Sequence, residues 1–153
     1  MSRETDQTLV MLATIAGCLE TFRQTNAFAR VDIKKTINDG FSACQHAIIH
    51  WPLMSNRYWV KERRDEFSAF IFAHPDSGYS SVVLACMCER IVTDLEEQNK
   101  GTSGRMAMLA PISSACKTIH DFCDPGGGNF PAYEKSDELL DMLYEIIELR
   151  EFA

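Results

Sequence analysis

Residues 80–99 read SSVVLACMCERIVTDLEEQN, and this stretch decides the fold. From Val82 through Cys88 it is apolar at every position. An element with no polar side has to be covered by neighbours all round. From Glu89 onward the pattern changes: Ile91, Val92 and Leu95 keep one stripe while Asp94, Glu96 and Glu97 occupy the other. That spacing is a 3.6-residue period, so the stretch predicts a helix that is buried first and then emerges into solvent. Nothing in it alternates with the period of two that a half-buried strand requires. We therefore expect a central buried helix over 80–99 and an all-α fold around it.

Working outward on the N-terminal side, residues 8–25 read as a first helix, with Leu12, Ile15, Leu19 and Phe22 on one face. Gly17 lies inside it at a propensity cost of about 1 kcal/mol relative to Ala, which suggests that another backbone approaches there. A second helix is expected over 31–50, with Ile33, Ile37, Phe41, Cys44 and Ile48 as its stripe. The pair Trp51-Pro52 ends it, because the residue before a proline is pushed out of the helical region. Ser55 or Asn56 can cap a third helix carrying Trp59, Val60, Phe67, Phe70 and Ile71, which stops at His74-Pro75. Residues 76–78 then turn into the central helix.

On the C-terminal side, residues 99–104 form a polar connector with two glycines. A fifth helix follows, with Pro111 in its first turn or kinking it, and with Ile112, Ala115, Cys116, Ile119 and Phe122 inward. Residues 124–135 are expected to be a Pro/Gly-rich connector. Ser136 or Asp137 would cap a sixth, acidic helix anchored by Leu139, Leu140, Leu143, Ile146 and Ile147. The expectation is a single domain over 1–153, a bundle of about six helices. A chain of 153 residues is long enough to bury a core without disulfides or metal.

Composition narrows the function classes. With 46% hydrophobic and 24% charged residues the chain is an ordinary globular one. Residues 1–7 are polar, and the apolar run behind them is interrupted by Thr14, Gly17 and Glu20, so no signal peptide or membrane span is read and a cytoplasmic location is expected. The six cysteines (18, 44, 86, 88, 116 and 123) all lie in apolar helical patterns. They are expected to be free, mostly buried thiols.

Charge is distributed unevenly. Residues 134–153 hold seven carboxylates against Lys135 and Arg150, a net of −5 out of −7 for the whole chain. Direct nucleic-acid binding is disfavoured, since phosphate contacts need cationic surface. The one basic cluster, residues 57–64 (RYWVKERR), is broken by Glu62 and followed by Asp65 and Glu66. It reads as a solvated helix face.

Three constellations could carry chemistry. Cys116, His120 and Cys123 stand at i, i+4 and i+7, on one face of the fifth helix, and His46 with His50 forms another i, i+4 pair. This is the best arrangement for zinc, although it resembles none of the usual paired-cysteine sites. Gly126-Gly127-Gly128 follows a helix rather than a strand and precedes no Lys-Ser or Lys-Thr, so it lacks the parts of a phosphate cradle. The third constellation is a carboxylate ladder on the sixth helix: Glu134, Glu138, Asp141, Glu145 and Glu148 recur at intervals of 4, 3, 4 and 3. Few cations are interspersed, although like charges at i, i+4 repel.

The reading that follows is a non-catalytic helical interaction or regulatory protein, without a cofactor. Its acidic face would occupy a basic protein surface, such as the nucleic-acid groove of a larger machine, in the manner of a small phage- or plasmid-type inhibitor. The alternative is a zinc-binding protein or metal-dependent enzyme built on Cys116, His120 and Cys123. The apolar stripes would serve a homodimer as well as a monomer.

Overall fold

The computed structural model describes the backbone of residues 3–23, 31–50 and 81–152, with side chains over 8–9, 11–23, 32–50, 81–142 and 145. Within these residues the chain is all-α, with five helices and no strand: α1 (Arg3–Arg23), α2 (Val31–His50), α3 (Ser81–Gln98), α4 (Ser103–Cys123) and α5 (Phe130–Phe152). The third helix expected after Ser55 or Asn56, the turn at 76–78 and the basic cluster at 57–64 lie outside the described residues. No described helix is long and apolar enough to cross a membrane.

Four of the helices close on one another. α1 packs on α2 and α3, and α4 packs on the same two, so the order around the ring is α1, α2, α4, α3. α5 stands outside this ring and packs on α3. A single hydrophobic cluster runs through all five.

α3 matches the sequence reading within one residue at each end. Val83 through Cys88 are buried without a break, and beyond them only Ile91, Val92 and Leu95 stay inside. α1 departs from expectation. Leu12, Ile15, Leu19 and Phe22 are fully buried, and every other residue from Met11 to Leu19 is buried as well. The physical reason is that no charged residue occurs between Leu9 and Leu19, and Ala13, Ala16, Gly17 and Cys18 are small enough to be covered on the helix's other sides. All-round burial therefore belongs to α1 over a longer run than to α3.

The five stripe residues of α2 are all buried. Between them lies Gly40, where an added methyl would sit 2.7 Å from Ala115 Cβ of α4 and 3.4 Å from Leu19 Cδ1 of α1. Glycine weakens a helix interior by about 1 kcal/mol. Here it lets two helix backbones approach, the role the sequence reading assigned to Gly17.

The starts of three helices need correction: α1 begins at Arg3 rather than at residue 8. α4 begins at Ser103 and includes Gly104 in its first turn, so the connector is 99–102. Asn99 is buried there, and its Nδ2 donates to Leu95 O at 2.7 Å, satisfying a carbonyl at the end of α3. Pro111 lies in the interior of α4. It removes the N–H that would bond Ala107 O, and because Ala107 and Pro111 are both exposed, water can take that carbonyl. α5 begins at Phe130, with neither Ser136 nor Asp137 as its cap. Asn129 caps it: its Oδ1 accepts from Ala132 N at 3.2 Å, and its carbonyl accepts the first helical bond from Tyr133 N. Pro131 fits in that first turn because its missing N–H would have no helical partner. Residues 130–135 are thus helical, and the connector shrinks to 124–129.

Packing of this kind makes two stability predictions. Leu84→Ala, at a position only 4% exposed, is expected to lower unfolding free energy by about 2–5 kcal/mol in urea denaturation. Gly40→Ala is expected to cost about 1–3 kcal/mol through overpacking. Ala115→Gly added to it should give a double variant more stable than the sum of the two single losses; strict additivity would mean that the two positions do not touch.

Candidate functional site

The acidic helix owes its orientation to four inward residues. Ala132, Ser136, Leu139 and Leu140 are buried, and α3 is the helix it packs against. The Ser136 hydroxyl is satisfied within the helix by donating to Tyr133 O at 2.9 Å, so it can be covered without an unpaired polar group. With that side fixed, Glu134, Glu138, Asp141 and Glu145 are all exposed. The side chain of Glu148 lies outside the described residues.

The acidic helix is partly neutralised, at Glu138 within the ladder and at Asp137 beside it. Lys135 Nζ reaches Glu138 Oε1 at 3.7 Å. Arg90 of α3 crosses to Asp137, with Nη1 3.2 Å from Oδ1, while its Nε lies 3.7 Å from Asp94. These pairs are solvent-exposed, and each is worth at most about 1 kcal/mol. Glu134, Asp141 and Glu145 have no cationic partner among the described residues.

The first turns of α5 are tied down by one imidazole. His120 of α4, only 7% exposed in its side chain, lies with Nδ1 2.8 Å from Glu89 Oε2 of α3 and Nε2 3.2 Å from the Tyr133 hydroxyl of α5. With the proton on Nδ1, facing the carboxylate, Nε2 accepts from the tyrosine. Glu89 Oε2 is sealed from solvent and receives no well-aligned hydrogen bond despite the short distance. Its attraction to His120 is one of proximity more than direction. Burial raises the Tyr133 phenol, and the nearby Cys86, Glu89, Asp124 and Asp121 push it the same way. A phenol held protonated is a hydrogen-bond donor and a poor nucleophile. The Glu89-His120-Tyr133 chain therefore acts as a clasp across α3, α4 and α5.

The glycine turn completes the support. Gly126, Gly127 and Gly128 have φ of +86°, +70° and +87°, a left-handed run that side chains other than glycine rarely adopt. Asp124 Oδ2 accepts the Asn129 N–H across the turn at 3.3 Å. The loop closes on its own carboxylate.

The zinc set is not assembled as ligands. Cys116 turns into the core beside Cys88; His120 serves the clasp; Cys123 is half-buried beside Asp124. His46 and His50 are exposed, with ring centroids 4.3 Å apart. Among the described residues no group of three or more His, Cys, Asp or Glu side chains is arranged to hold a metal ion.

What sequence reasoning missed is the meeting of thiols inside the ring. Cys18 of α1, Cys44 of α2, Cys88 of α3 and Cys116 of α4 are all buried, one from each helix. Cys88 lies beside both Cys116 and Cys18, and Cys44 lies near Cys116. Burial, with Cys116 alongside, holds the Cys44 thiol far above its usual range. The neighbouring Cys88 thiol and then burial do the same for Cys116. At Cys88 the Cys116 thiol pulls the other way, but the Cys18 thiol and burial prevail. No signal along a single helix could show this, because each cysteine is separately an apolar filler. All six cysteines are free.

Two further thiols, Cys86 and Cys123, are pushed up to about 11 from the usual 9, mainly by burial. A thiol raised on folding stabilises the native state fully below its unfolded value, near pH 9, and that contribution is lost as pH climbs through about 11. Stability to urea is therefore expected to fall between about pH 9 and about pH 11, and to fall less in a Cys86→Ala, Cys123→Ala variant. Equal losses in both proteins would assign the alkaline sensitivity to other groups. Comparison with known proteins returns no match: no family model fits the sequence, and no characterised protein or solved structure resembles the chain.

Proposed function

We propose that this is a non-catalytic helical interaction protein that uses the outer face of α5 to occupy a cationic surface on a protein partner, such as a nucleic-acid-binding groove. The observation that carries the reading is the exposure of Glu134, Glu138, Asp141 and Glu145 along one helix whose opposite side is buried. A row of carboxylates on a helix presents about one charge per turn, roughly 5–6 Å. A DNA strand carries about one phosphate per 3.4 Å of axis, so the helix is a more dilute version of the same linear charge pattern. The clasp at His120 and the caps at Asn129 support this use, because a charge row recognises a groove only if its helix is held in place. Glu148 extends the row by a further turn in sequence.

Such a surface works mainly by steering. Clustered charge of one sign raises association rates by about 10–10³-fold at low salt and loses that advantage as salt screens it. Replacing Glu134, Glu138 and Glu145 by Gln and Asp141 by Asn leaves the apolar anchors untouched. Helicity is expected to stay the same or rise slightly as like-charge repulsion is relieved. Capture of a partner from a host-cell lysate is expected to fall at low salt for the variant and at high salt for the wild type. Retention of the same partner by both proteins at both salt concentrations would show that the acidic face is only a solvated surface.

A further inference from the structure

The end of α2 carries two side chains that neither the core nor the acidic face uses. Cys44, Ala47 and Ile48 are buried there, so the last turns of the helix are seated against the core and their outward side is fixed. His46 and His50 project from that side into solvent. Four residues apart on a helix, they stand one above the other, separated along the axis by about one turn of 5.4 Å. Their ring centroids lie 4.3 Å apart at an interplanar angle of 43°.

Two imidazoles in this relation can offer lone pairs to a common point. Each neutral ring keeps one unprotonated nitrogen, the donor that divalent transition ions take. Distance decides the geometry. With metal–nitrogen bonds of about 2.0–2.1 Å, two imidazoles bound at about 90° have centroids about 4.5 Å apart, whereas a tetrahedral pair has them about 5.2 Å apart. The observed 4.3 Å matches the first arrangement, which is that of a tetragonal ion such as copper(II) or nickel(II) rather than of zinc. Because both rings are exposed, a hydrated ion reaches them, and rotation about the broad χ2 torsion aims the nitrogens without moving the backbone. α2 ends at His50, so the pair also lies at the negative end of the helix dipole, which favours a cation.

From this we infer that His46 and His50 form a two-point site for a divalent transition-metal ion of tetragonal preference, with the imidazoles in two adjacent coordination positions and water in the others. The site shares no residue with Cys116, His120 and Cys123, and it stands independently of the role proposed for α5. Its strength comes from chelation. Once one imidazole has bound, the second is presented at high effective concentration, which raises affinity by about 10²–10⁴-fold over a single ligand.

Nickel(II) is the probe, titrated into the full chain by calorimetry and followed in ¹⁵N spectra, where the paramagnetic ion broadens nearby amides. Broadening is expected to centre on residues 46–50. His46→Gln and His50→Gln are each expected to weaken nickel binding by about 100-fold or more. Adding Ser42→His to the His50→Gln chain re-creates the four-residue spacing one turn earlier on the same exposed side and should restore tight binding. Adding Gln45→His instead, exposed but adjacent to His46 in sequence, should not, because neighbouring residues on a helix do not face each other. Zinc should bind more weakly than nickel. The inference is overturned if broadening centres elsewhere, if removing either histidine leaves nickel affinity unchanged, if Gln45→His restores binding as well as Ser42→His, or if zinc binds more tightly than nickel.

Discussion

The constraint on which this structure depends is the covering of the uncharged run in α1. From Leu9 to Leu19 there is no charged side chain, and the described residues from Met11 to Leu19 are buried without exception. Each large apolar side chain buried in this way contributes about 1.5–3 kcal/mol, but only if neighbours reach every side of the helix. α2 and α3 meet α1 directly, and α4 closes the ring by packing on both of them. The approach of α2 to α4 over Gly40 and Ala115 brings the ring tight enough to exclude water from its middle.

What fills that middle is consistent with the tightness. Four helices crossing closely leave room at the centre for small side chains, and here they are Cys18, Cys44, Cys88 and Cys116. A thiol is small, apolar and capable of a weak hydrogen bond, so it satisfies the space without demanding a partner. Neighbouring thiols and burial together hold Cys116 and Cys88 protonated, as burial does Cys44, and a protonated thiol is neither a nucleophile nor a metal ligand. The cysteine content, which by count alone suggests redox or metal chemistry, is in this arrangement a packing solution.

α5 is joined to the ring through narrower means. Leu139 and Leu140 give it an apolar seat on α3, and the His120 clasp and the Arg90-Asp137 pair tie its early turns. The opposite side is left to solvent because nothing in the ring needs it. This division of labour, a helix anchored on one side and charged on the other, is what lets a stable domain present a row of carboxylates without weakening its core.

Much of this was legible in the sequence. Periodicity located α1, α2 and α3, and the stripe residues of α2 and α3 are buried as their spacing requires, because a 3.6-residue repeat of apolar side chains is a local property of the chain. The exposed side of α5 follows from the same rule. Boundaries set by competing local signals were misread: Pro131 was counted with the Pro/Gly-rich connector and is a first-turn residue, since a helix start tolerates a missing N–H that its interior does not. The all-round burial of α1 was readable in its lack of charge. Only the tertiary structure decided which residues meet across helices. Gly40 against Ala115, the four converging thiols, His120 between Glu89 and Tyr133, and the relief of Asp137 by Arg90 are contacts between distant positions, and no periodicity along one helix determines how another helix is rotated against it.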